Sequence, residues 1–119
     1  MPFGLGSGAA RQGHRRLHIC NGQDSVDAGG NAQHPGDMAA QLRVALDDLE
    51  AVLAGADVTF ANVVRLNLYT TDVDTLLQHF AALVERFGGT GDRFASTLLG
   101  VARLAEPDRL VALEATAID

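Results

Sequence analysis

The chain has 119 residues, enough for one compact domain and too few for two ordinary ones, so residues 1–119 are read as a single unit. Hydrophobic residues make up 47% and charged residues 20%, a globular composition rather than a disordered or coiled-coil one. A net charge of −6, no tryptophan and 5% aromatic content argue against a nucleic-acid partner. No apolar run approaches the roughly 20 residues that span a bilayer, so no membrane is expected either.

Residues 16–20 alternate polar and apolar side chains, as a half-buried strand does. Asn21-Gly22-Gln23 is expected to break that strand, and residues 24–36 read as an extended loop punctuated by Gly29-Gly30 and Pro35-Gly36. Asp37 is a plausible N-cap for a helix. Its apolar stripe is Met38, Leu42, Ala45, Leu46, Leu49, Val52 and Leu53, and Gly55 is its stop. Residues 62–70 switch to period two, with Val64, Leu66 and Leu68 on one face and Arg65, Asn67 and Tyr69 on the other. Thr71-Asp72-Val73-Asp74 then caps a second helix with Leu76, Phe80, Leu83, Val84 and Phe87 on one stripe, ended by Gly88-Gly89-Thr90-Gly91. Strands are expected over residues 94–102 and 110–117, separated by Glu106-Pro107-Asp108.

Helices alternating with strands imply an α+β domain with one sheet and both helices on a single face. The other face would carry Ala112, Leu98 or Leu99, and Gly100, which have little reason to meet water. Self-association through that face would cover them. Glu114 falls on the same side and is expected at such an interface, with a cleft base as its other role.

Few residues offer chemistry of their own. All nine basic residues are arginines, so a lysine Schiff base, lysine-anchored pyridoxal phosphate and a GK[ST] phosphate loop are all excluded. Cys20 lacks a second cysteine to pair with, which suits a reducing cytoplasm, the expected location; Met1 opens no basic-then-apolar leader. Cys20 and His18 lie about 6.7 Å apart if both are in a strand, too far for a nucleophile and its base, so a buried structural thiol is expected. His14, His18, His34 and His79 show no metal-ligand spacing, and no metal is expected. Gly88-Gly89-Thr90-Gly91 is read as a turn rather than an anion nest.

Several segments taken together resemble one family. They are Asn21-Gly22-Gln23, the pattern from Met38-Ala39-Ala40-Gln41 to Leu49, Ala54-Gly55-Ala56, Asn62-Val63-Val64-Arg65-Leu66 and Tyr69-Thr70-Thr71-Asp72. Gly100-Val101-Ala102-Arg103-Leu104 and Leu113-Glu114-Ala115 complete the set. In this order and spacing the chain resembles the Rid family, also called the reactive intermediate deaminase or endoribonuclease L-PSP family. The resemblance implies a chorismate-mutase-like α+β fold assembled as a homotrimer, with clefts between subunits. It implies hydrolysis of enamines and imines to ketones and ammonia without a cofactor, with an arginine holding the substrate carboxylate and an acidic residue helping to position water.

Carried onto this chain, the arginine's position is Ser96, the acidic residue's is Ala112, and that of a cleft asparagine is Phe80. Phe3 is the candidate for an N-terminal aromatic. Gly22 with its neighbour Asn21 matches the glycine motif that lets a backbone approach the ligand. The expected substrate-binding residues are therefore Gly22, Asn21, Ser96, Thr97 and Arg93, the last supplying an anion contact from a new direction; the catalytic residues are not identified. Turnover of carboxylate-bearing imines is not expected. The leading expectation is a trimer that binds a small metabolite in its clefts, with hydrolysis of an enamine, imine or other reactive intermediate left open; the second is a pathway-specific enzyme acting on such an intermediate without a free carboxylate. The alternative is a ligand-binding or protein-interaction module on the same scaffold. Ribonuclease activity is not expected at this charge.

Overall fold

Val111, Leu113, Ala115 and Ala117 are buried in strict alternation along β4 (Val111–Ile118), with half-buried residues between them. Strand β4 is the second strand of a four-stranded sheet, so its alternation sets which side is core. The computed structural model describes residues 16–23, 33–88 and 94–119. The other strands are β1 (Leu17–Gln23), β2 (Val63–Thr70) and β3 (Ala95–Gly100). The order across the sheet is β1-β4-β2-β3, antiparallel at β1/β4 and β4/β2 and parallel at β2/β3. Strand β1 continues through Gln23 where the sequence pattern predicted a break, because Asn21, Gly22 and Gln23 pair with Glu114, Leu113 and Ala112.

Helix α1 (Met38–Gly55) begins where expected, with the Asp37 carboxylate accepting from the Ala40 amide at 3.0 Å. Leu42, Ala45, Leu46, Leu49 and Leu53 are each at most 1% exposed and form the stripe pressed on the sheet. Val52, which the periodicity put on that stripe, is exposed instead. Gln41 is buried among these apolar neighbours and stays because all its bonds are made. Its Nε2 donates to the carbonyls of His34 (2.8 Å) and Asp108 (2.9 Å), and its Oε1 accepts from the Leu110 amide at 2.7 Å. One side chain thus ties the start of α1 to the start of β4.

Two local irregularities depart from the sequence pattern. A register shift between Val63 and Arg65 makes Val64 an extra residue in β2, so Val63 is buried and Val64 is exposed. The expected second helix is two short ones, α2 (Val73–Gln78) and α3 (Phe80–Arg86), with His79 capping both. Leu76, Leu83 and Phe87 are still buried and Phe80 packs against the core, so the stripe survives the break. Phe87 makes tilted ring contacts with Phe60 and Phe94, at centroid distances of 4.4 and 4.7 Å, which fix the end of α3 to the start of β3.

Helices α1, α2 and α3 all cover one face of the sheet, as the α+β pattern implied. The other face is open and carries Leu17, Ile19 and Leu99, which are 63%, 67% and 46% exposed. Leu98 and Gly100 lie on the helical side, beside Leu68 and Thr70 of β2, so of the apolar β3 residues expected on the open face only Leu99 is there. Among the described residues no helix is long and apolar enough to cross a membrane.

Candidate functional site

Because side chains alternate along a strand, neighbours in sequence part company across the sheet. Gly22 and Ser96 face the helices, whereas Asn21 and Thr97 face the open side. Arg93 and His14 lie outside the described residues. The expected binding set is therefore divided between two surfaces.

Gly22 meets α1. A Cβ built there would lie 2.4 Å from the Ala45 carbonyl oxygen and 2.8 Å from Leu49 Cβ, so the missing side chain makes room for the helix. Ser96 lines a small recess at the β3 edge with Leu66, Leu68, Phe80, Leu83 and Phe94. Its volume, about 40 Å³, holds a water or two and no metabolite. The two positions that the resemblance assigns to polar cleft residues, Phe80 and Ser96, do line this same recess. Among its described lining residues there is no charged side chain. Ala112 is on the opposite face, beside Tyr69.

On the open face the register aligns Asn21, Glu114, Asn67 and Thr97 in one row across all four strands. Glu114 Oε1 accepts from Asn67 Nδ2 at 3.1 Å and from the Tyr69 hydroxyl at 3.0 Å. Arg65 donates to Thr97 Oγ1 at 2.7 Å. The hydrogen bond to the Glu114 carboxylate raises the Tyr69 phenol above its ordinary range, with burial and the carboxylate's charge acting the same way. Glu114 thus sits on the face to which the sequence assigned it, held in a polar cluster. Its two donors are period-two neighbours on β2, but only the β2/β4 register brings them to it.

Cys20 is buried and free, as expected of a structural thiol. His18, on the same side of β1, contacts the Asp119 carboxylate at 3.3 Å. Asp119 is held at about pKa 2, chiefly by the Arg16 side chain and then by the Arg16 amide, both of which donate to it. Among the described residues no group of three His, Cys, Asp or Glu side chains could hold a metal ion.

Residues 9–119 match the family model described as endoribonuclease L-PSP. Among solved structures, a Mycobacterium tuberculosis member of the YjgF/YER057c/UK114 family is 31% identical, over 85% of this chain and 77% of its own, with a TM-score of 0.68. The Yersinia pestis protein YyfB, of the conserved Rid family, is 34% identical over 86% of this chain and 77% of its own, with a TM-score of 0.73. The YjgF gene product of E. coli is 27% identical over 86% of this chain and 80% of its own, with a TM-score of 0.67. No curated protein is found to match the sequence.

Proposed function

The chain belongs to the endoribonuclease L-PSP family, which includes the Rid proteins, and from that premise we propose that it is a homotrimeric hydrolase of small enamines or imines that lack a free carboxylate. Three copies associate through the open sheet face, and the β3 edge of one copy forms a cleft with the next. Water adds to the C=N carbon of the bound imine, protons pass to nitrogen, and the C–N bond breaks to leave a carbonyl compound and ammonia.

The observation that carries this reading is the Ser96 recess. Leu66, Phe80 and Phe94 surround the serine, and no guanidinium is among the described side chains there to neutralise a carboxylate. Among these described neighbours a buried carboxylate would lose its hydration without an ionic partner, at a cost of several kcal/mol. A neutral substrate avoids that cost, and the Ser96 hydroxyl offers it one polar contact. The recess is too small in one chain, which supports a cleft completed by a second copy. The exposed Leu17, Ile19 and Leu99 supply apolar surface for the association. RNA cleavage, which the family name mentions, is less well supported: the chain carries −6 and no lysine.

Imines generated in place by an amine oxidase and by an amino-acid oxidase separate the cases, since only the second set carries a carboxylate. Ammonia release from the first set should rise with added protein, and release from the second should stay at the buffer rate. Ser96→Arg should restore turnover of the carboxylate-bearing set. Sedimentation should give three times the 12.5 kDa chain mass. Rapid turnover of carboxylate-bearing imines by the unmodified protein, or a monomer in solution, would overturn the proposal.

A further inference from the structure

A recess of about 300 Å³ lies between α1 and α3, on the other side of α3 from Ser96, and shares no lining residue with the Ser96 recess. Its volume is at the lower end of the ~300–1,000 Å³ typical of pockets that take small ligands. Leu42 and Leu46, one turn apart on α1 and each 1% exposed, contribute its apolar floor. Ala39 on α1 and Ala82 on α3 also line it; larger side chains there would fill the gap between the helices. The helix break at His79 puts that imidazole at the same recess, and its ring makes no capping bond to α3.

Charge decides what such a recess can hold. Three cationic or potentially cationic side chains line it, Arg43, His79 and Arg86, against one carboxylate, Glu85. Arg86 is already committed. Its Nη1 lies 2.9 Å from Asp47 and its Nη2 3.1 Å from Glu50, and its guanidinium covers the Phe60 ring at 5.8 Å. Arg43 makes no ion pair or hydrogen bond among the described residues, so its planar fork is available for a carboxylate. An apolar floor with one available guanidinium fits an amphipathic monoanion with a medium-length tail.

We propose that this recess is a binding site for a medium-chain aliphatic carboxylate, whose tail lies on Leu42, Leu46, Ala39 and Ala82 and whose carboxylate pairs with Arg43 and accepts from His79. The site is independent of the imine cleft, so either can fail without the other. Glu85 weakens it by repulsion, and salt weakens the Arg43 contact because it is exposed.

Octanoate added to the isotopically labelled full chain should give saturable amide shifts confined to residues 39–46 and 79–86. Octanol, with a comparable tail and no charge, should bind about tenfold more weakly, as should octanoate to Arg43→Gln; that ratio corresponds to the loss of one charge-assisted hydrogen bond. Ala82→Phe, at an exposed helical position that tolerates the change, should block binding while the melting temperature is kept. Glu85→Gln should tighten binding about two- to threefold. No saturable shift, shifts centred on residues 66–68 and 94–96 instead, or equal affinity for octanol and octanoate would overturn the proposal. So would unchanged affinity in Arg43→Gln.

Discussion

Tyr69 and Glu114 meet across the β2/β4 pair, the phenol donating to Glu114 Oε1 at 3.0 Å. Ionising the phenol would remove that donor and set a second negative charge against the carboxylate. The Tyr69 titration therefore lies above the ordinary value of 10, and the stability it contributes is present below that pH and lost as pH rises through the elevated value. Glu114→Gln should bring the titration back toward the ordinary value. Tyrosinate absorbance reads it directly, because the chain has a single tyrosine. An unmoved midpoint would contradict the hydrogen bond.

Gly22→Ala places a methyl group 2.4 Å from a backbone oxygen of α1, which cannot rotate away. Either β1 or α1 must shift, at a cost of roughly 3 kcal/mol. Gly55→Ala, at a helical position with nothing within 4 Å, should instead stabilise by about 0.5–1 kcal/mol. Thermal unfolding of the two variants should thus move in opposite directions.

The Arg109 side chain is 1% exposed, and its Nε lies 2.7 Å from Glu106 Oε1. The contact is off line for a hydrogen bond, and among the described residues Nη1 and Nη2 have no hydrogen-bond partner, so the pair is held by charge rather than direction. Glu106→Gln leaves a buried cation uncompensated and should destabilise by about 3 kcal/mol. Arg109→Met removes the charge and keeps the bulk, so it should cost far less or stabilise. Denaturant midpoints of the two variants check the asymmetry.

Arg16 and Asp119 join the start of β1 to the end of β4 through donors from both the side chain and the amide of Arg16. The Asp119 pKa is depressed from 3.8 to about 2, so this tie is present above pH 4 and is lost as pH falls through 2. Carboxylate titration by NMR should show the low midpoint. Asp119→Asn should remove this pH dependence from that window, leaving the other carboxylates' contributions in place.

Much of the fold is legible from local pattern. The alternation at Val111, Leu113, Ala115 and Ala117, and the Asp37 cap with its leucine stripe, are short-range signals that burial reinforces. Other features depend on what lies opposite. Nothing in residues 62–66 marks the bulge that turns Val64 outward, since it arises from matching β2 to β4. The break at His79 is likewise silent, because residues 76, 80, 83 and 87 read as one continuous stripe.

The candidate site shows the same division. Composition determined an acidic, lysine-free chain, side-chain periodicity an α+β one, and the motifs a resemblance to the Rid family, with Ser96 and Phe80 at positions where that resemblance puts polar groups. Tertiary structure decided that Ser96 and Phe80 share one recess, that Gly22 serves helix packing, and that Asn21 and Thr97 stand on the opposite face in line with Glu114. Side-chain period is a property of one strand, whereas register, crossover and helix placement are set by long-range pairing that no local window of sequence contains.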